Sequence, residues 1–144
     1  MAPHGTSRFA YALLLLFALL LGGCDSSAPK QAFELTDISG AEFGRNFRLT
    51  DHNGQTRTLD DFRDKVVVVF FGYIFCPDVC PTTMGELALV MKELGPDAAR
   101  VQVLFITVDP ERDTPELLAK YVPGFHPSFL GLYGDAETTK RTAK

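Results

Sequence analysis

The feature that most constrains this chain is the run Val66-Val-Val-Val-Phe-Phe71, six consecutive apolar residues of which four are β-branched. Branching at Cβ stiffens χ1 and suits a pleated strand better than a helix. A run with no polar alternation is expected of a strand buried on both faces, and such strands belong to sheets covered by helices on each side. The flanking sequence supplies partners. Phe47-Arg-Leu-Thr and Thr56-Arg-Thr-Leu59 bracket Asn53-Gly54, a hairpin signal because Asn and Gly tolerate positive φ. Asp60 to Lys65 reads as a polar connection. Val101 to Val108 is a second buried strand, and Phe129 to Tyr133 a short third.

Helices fill the intervals. Met84, Leu87, Ala88, Met91 and Leu94 recur at helical spacing, behind Pro81 and a candidate capping box of Thr83 with Glu86. Gly95-Pro96 stops that helix. The methionines read as core rather than as metal ligands. Thr114 caps a second helix with Pro115 at its first position, ending near Pro123-Gly124. Asp135 begins a third, which runs to Lys144. Strand, helix, strand, helix, strand makes an α/β sandwich with a partly parallel sheet. Active sites in such sheets gather at the carboxyl ends of strands.

That is where two thiols fall. The segment Gly72-Tyr-Ile-Phe-Cys76-Pro-Asp-Val-Cys80-Pro-Thr-Thr-Met84 follows the first buried strand. Three residues separate the cysteines, and a loop-to-helix turn brings such thiols close enough to bridge or to share a metal. The partial positive charge of a helix N-terminus favours thiolate, the form that attacks disulfides and binds soft metals. Two thiolates suit Cu(I); they do not complete a structural zinc site, which wants four ligands. The alternative is a plain structural disulfide or a pair of buried thiols.

The N-terminal segment reads as an address. A weakly cationic stretch ends at Arg8, and an apolar run from Phe9 to Leu21 follows. About 13 helical residues span roughly 20 Å, short of the roughly 30 Å of bilayer hydrocarbon. A secretory signal fits better than a transmembrane span; an uncleaved anchor is the alternative. Leu21-Gly-Gly-Cys24 resembles the lipobox of bacterial lipoproteins. That resemblance implies cleavage of a signal peptide at 1–23 and acylation of Cys24. Residues 24–32 then form a lipidated tether, and Asp25 favours retention in the inner membrane. An ordinary cleavage site beside a chance cysteine is the competing reading. Acyl chains would hold the soluble domain at the membrane surface. Net charge is only −4, so no basic field points to nucleic acid. With Cys24 spent, two of the three cysteines remain, enough for one redox or metal centre but not for a disulfide scaffold.

Three segments together resemble the SCO/SenC family, copper chaperones of cytochrome c oxidase assembly. They are residues 70–84, the stretch Val103-Leu-Phe-Ile-Thr-Val-Asp-Pro-Glu-Arg-Asp-Thr-Pro-Glu116, and Phe125-His-Pro-Ser-Phe-Leu-Gly-Leu132. The resemblance covers residues 33–144 and implies a thioredoxin-like fold with a mixed central sheet. It implies copper at Cys76 and Cys80, with the same two thiols forming a redox disulfide. It also implies delivery of copper, or of electrons, to the binuclear copper site of an oxidase subunit. Implied partners are that copper-bearing subunit, a thiol reductase and other copper chaperones. The implied place is the bacterial inner membrane, facing the periplasm. No catalytic residue is assigned.

The family's third copper ligand is a downstream histidine, in a segment this chain stops before, so the expected domain lacks its C-terminal hairpin and last helix. Of the histidines present, His4 lies in the leader, His52 in the hairpin turn as a solvated polar residue, and His126 in a pattern that is not the ligand position. Asp78, between the thiols, reads equally as an electrostatic or partner-facing group and as a solvated loop carboxylate. Asp109-Pro110 reads as a plain turn, and Glu111, Arg112 and Asp113 as a solvated loop or partner-docking surface. The rival function is a thiol–disulfide oxidoreductase or thiol peroxidase, in which one cysteine attacks and the other resolves.

Overall fold

A computed structural model of the chain describes residues 46–143 together with Thr36 and Gly40. The signal, the tether and Cys24 lie outside the described residues. By internal contacts the chain divides into residues 1–40 and residues 41–144; the fold below belongs to the second unit.

Among the described residues, five strands and three helices follow in order: β1 (Leu49–Asp51), β2 (Thr56–Arg57), β3 (Val66–Gly72), α1 (Val79–Leu94), β4 (Val101–Thr107), α2 (Pro115–Phe125), β5 (Leu130–Tyr133) and α3 (Ala136–Thr142). Short 3-10 turns cover Leu59–Phe62 and Gly95–Arg100. The sheet order is β2-β1-β5-β4-β3. β3, β4 and β5 run parallel, and β1 pairs antiparallel with both β2 and β5. The expected mixed α/β sheet is the one observed.

Two successive crossovers, β3–α1–β4 and β4–α2–β5, advance across the sheet in the same direction. Right-handed connections then place both helices on one face. The alternation along β4 sorts the core accordingly. Val103 and Phe105 pack with Met84 and Met91 of α1, Leu118 and Val122 of α2, and Phe129. Leu104 and Ile106 point the other way, onto Phe47, Leu49, Phe62 and Leu132. The methionine stripe is therefore core, as its spacing predicts.

Asn53-Gly54 turns the β1–β2 hairpin, with Gly54 at φ +83°. The buried carboxylate of Asp51 organises it. It accepts from the amides of Asn53 and Gln55 at 2.8 and 2.9 Å and from Arg57 Nε at 2.8 Å. His52 departs from its expected solvated role. Its amide donates to the Gly131 carbonyl at 2.9 Å, and its Nδ1 accepts from the Gly131 amide at 3.0 Å. The ring thus stitches the hairpin to β5. An acceptor at Nδ1 sets the neutral tautomer with hydrogen on Nε2.

Two other expectations are corrected. β3 was expected to be buried on both faces. Among the described residues it pairs with β4 alone, and Val66, Val69 and Phe71 are exposed. A continuous apolar run reports that both faces are apolar; it carries no information on which positions another element covers. α1 begins at Val79, four residues before the Thr83 capping box, with Pro81 inside its first turn. That is permitted because first-turn amides have no intrahelical acceptor to lose. α2 ends at Phe125, beside the expected Pro123-Gly124 stop.

Candidate metal centre

Cys76 and Cys80 are placed by the junction between β3 and α1. Gly72 ends β3 beside Thr107, and its carbonyl accepts from the Val108 amide at 2.9 Å. The chain then turns tightly, the Cys76 amide donating to the Tyr73 carbonyl at 3.3 Å. α1 starts three residues later, so Cys80 is its second residue. Both cysteines are free thiols, with exposures of only 8% and 4%.

The helix cap explains how they differ. Asp78 stands at the N-cap but makes no side-chain cap bond. The Cys76 sulfur takes that place: the amides of Asp78 and Cys80 donate to it, joined by the Cys80 thiol and the Tyr73 hydroxyl. These are first-turn donors with no partner of their own inside the helix. Donors aimed at sulfur stabilise its charged form, and the Cys76 pKa is lowered to about 7. Cys80 goes the other way. Burial pushes its thiol up, against a single backbone donor, the Tyr73 amide; Cys76 and Asp113 push it further up. The pair therefore has one exposed-side sulfur poised as thiolate and one deeper sulfur held as thiol. The Tyr73 hydroxyl is raised in turn, chiefly by Cys76.

The rim of the site is apolar. Phe75 and Val79 flank the two cysteines in sequence and are strongly exposed. The Arg112 guanidinium lies 5.7 Å from the Phe75 ring centroid and pairs with the Asp109 carboxylate. The Asp109 carbonyl accepts from the amides of Arg112 and Asp113 at 3.2 and 2.9 Å, the turn expected at Asp109-Pro110.

Asp113 does not sit in a solvated loop. It is 1% exposed. Its Oδ2 accepts from the Ile74 amide at 3.0 Å and from the Thr107 hydroxyl at 2.6 Å. Sequence reasoning missed it because Glu-Arg-Asp-Thr-Pro reads as uniformly polar. Its burial depends on the β4–α2 loop folding back over the cysteine turn. Tyr73 was likewise inside the recognised segment without an assigned role. Of the histidines, His126 Nδ1 lies 2.8 Å from the Ser128 hydroxyl. His52 is engaged with Gly131 as described. Among the described residues no three His, Cys, Asp or Glu side chains are grouped to hold a metal. The thiol pair offers two soft ligands. No described helix is long and apolar enough to cross a membrane.

A mixed sheet whose two crossover helices share one face, and a Cys-x-x-x-Cys pair at a strand-to-helix junction, define a thioredoxin-like thiol protein. The SCO1/SenC family model matches residues 35–144. The chain belongs to the SCO1/SenC family. It is 46% identical over 101 residues to the mitochondrial protein SCO2 homolog of Bos taurus, covering 69% of this chain and 38% of that protein. ScoI of Bradyrhizobium japonicum, solved with copper bound, is 43% identical with a TM-score of 0.66, covering 69% of this chain and 64% of that one. A SCO1/SenC family lipoprotein from Bacillus anthracis is 27% identical with a TM-score of 0.62, covering 69% of this chain and 61% of that one. The chain thus spans about two fifths of the length of the SCO2 protein it matches.

Proposed function

We propose that this chain is the thiol-bearing part of a copper chaperone that carries copper, as cargo, on Cys76 and Cys80. The observation that carries the reading is the pair itself: two free, adjacent thiols at a helix start, one poised as thiolate near neutral pH. A soft, low-coordinate Cu(I) ion fits two sulfurs, whereas zinc would be left short of ligands. The copper-bound relative supports the same cargo. Transfer proceeds by ligand exchange, the acceptor's ligands replacing the sulfurs one at a time. The acceptor is the copper-bearing subunit of cytochrome c oxidase. Other copper chaperones load the site, and a thiol reductase keeps it reduced. Acylation at Cys24 tethers the domain to the bacterial inner membrane, facing the periplasm; the lipoprotein relative supports the acyl tether.

The asymmetry of the pair favours a second reading, reduction of a partner's disulfide. The Cys76 thiolate would attack one sulfur of that disulfide and release the other as thiolate. Cys80 would then lose its proton and attack the Cys76 sulfur of the mixed disulfide. The partner leaves as a dithiol and this chain as a disulfide, two electrons having moved.

Cu(I) titration against a competing chelator under reducing conditions tests the first reading. One ion per chain is expected, and Cys76→Ala or Cys80→Ala should each abolish tight binding. Wild-type affinity in either variant would remove the two-sulfur site. Turnover of a disulfide or peroxide without copper binding would move the conclusion to the rival thiol chemistry.

A further inference from the structure

The β4–α2 loop reaches the thiol site through one buried side chain. Asp113 is contributed from 37 positions beyond Cys76 by numbering, yet its Oδ2 accepts the Ile74 amide, two residues before that cysteine. The same oxygen takes the Thr107 hydroxyl, and Thr107 Oγ1 in turn accepts the Asp109 amide at 3.0 Å. A chain of hydrogen bonds thus joins the end of β4, the loop that carries Arg112, and the turn that carries Cys76. Arg112 of the same loop meets that turn through the Phe75 ring.

The arrangement is costly, which makes it informative. Among the described residues, Asp113 Oδ1 is buried with no hydrogen-bond partner, and so is the Tyr121 hydroxyl. Leaving such groups unpaired is unfavourable. An apolar side chain here would avoid that penalty but would orphan the Ile74 amide. The Asp113 acceptor thus satisfies the amide of the turn it holds.

We propose that Asp113 is the positioning residue of the thiol pair: its carboxylate clamps the Ile74 amide and so sets the depth at which Cys76 and Cys80 sit. This rests on the reading of those two cysteines as the working pair. With the clamp closed, both sulfurs are shielded and meet only a reagent or partner that fits the rim of Phe75 and Val79. With it open, the turn is free to swing and the sulfurs become generally reachable.

The test uses the whole chain, reduced, at a temperature well below unfolding. The readout is the rate at which a small aromatic disulfide reacts with the two thiols. Asp113→Ala removes the acceptor and should raise that rate about tenfold, a factor of the size expected from losing one buried hydrogen bond. Asp113→Asn keeps an amide oxygen at the same reach and should restore the rate to within about twofold of the parent, on the same scale. Leu132→Ala, in the core on the other side of the sheet, lowers stability without touching the clamp and should leave the rate unchanged. An Asp113→Ala rate equal to the parent overturns the proposal. So does an Asp113→Asn rate as high as that of Asp113→Ala, which would assign the effect to charge. If Asp113→Ala does not fold, hydrogen exchange of the Ile74 amide in the unaltered chain decides. Protection comparable to β4 supports the clamp, and exchange at the rate of an open loop refutes it. Failure of the parent chain to bind Cu(I) or to form a Cys76–Cys80 disulfide would instead strike the functional reading and leave the clamp standing.

Discussion

The sulfur of Cys80 lies 3.2 Å from the point where a β-carbon on Gly72 would stand. The same point is 2.8 Å from the ring of Phe70 and 2.9 Å from the ring of Phe105. The absence of a side chain at Gly72 is what lets α1 deliver Cys80 onto the end of β3. Gly72→Ala should lose about 1–3 kcal/mol of stability through overpacking. It should also displace the Cys80 thiol and weaken Cu(I) binding. Urea unfolding and chelator competition measure the two effects. An alanine variant with parental stability would mean that the rings yield without consequence.

The unequal thiols make a prediction in pH. Cys76, held down to about 7 by the amides of Asp78 and Cys80 and by the Cys80 thiol, should alkylate with a midpoint near that pH. Reactivity should rise as pH rises through it, because thiolate is the attacking form. Cys80 should remain slow over the same range, burial having raised its pKa. Mass spectrometry after pulsed iodoacetamide labelling assigns each site. Cys80→Ala removes one donor from Cys76 and should shift its midpoint upward.

His52 supplies a stability signal remote from copper. Burial lowers its pKa below 6.5, partly opposed by Asp51, and its Nδ1 must stay unprotonated to accept from Gly131. Its folded pKa lies below its unfolded one. Its contribution is therefore whole above about pH 6.5 and is lost as pH falls below that value, when the unfolded chain takes up the proton first. Thermal unfolding between pH 7.5 and 5 should show this loss. His52→Ala should cost about 1 kcal/mol at pH 7.5 and flatten the slope. Asp51 does not confuse the result. Burial pushes its carboxyl up, but the Gln55 amide, Arg57 and the Asn53 amide outweigh this, and its pKa is lowered. Its own contribution is present above about 3.8 and fails only as pH falls below that, in a lower window.

Much of this protein is local enough to be legible in its residues. The apolar run at Val66–Phe71, the Asn53-Gly54 turn, the Thr114-Pro115 start and the Gly95-Pro96 stop each act within a few residues, so they reveal element type and order directly. The Cys76–Cys80 spacing likewise places two sulfurs on one turn before any tertiary contact is known. What folding decided was coverage and partnership. The exposure of Val69 and Phe71 depends on which elements lie over β3, and no property of those side chains encodes that. The Thr83-x-x-Glu86 box lost to an earlier start because the Cys76 sulfur accepts the first-turn amides that a capping side chain would otherwise take. His52 and Asp113 look polar and solvated in sequence. His52 becomes half-buried and Asp113 buried only when a partner distant in the chain, Gly131 for one and Ile74 for the other, presents a backbone amide to it. A hydrogen bond between such partners is invisible to local pattern, because its donor is positioned by the whole sheet.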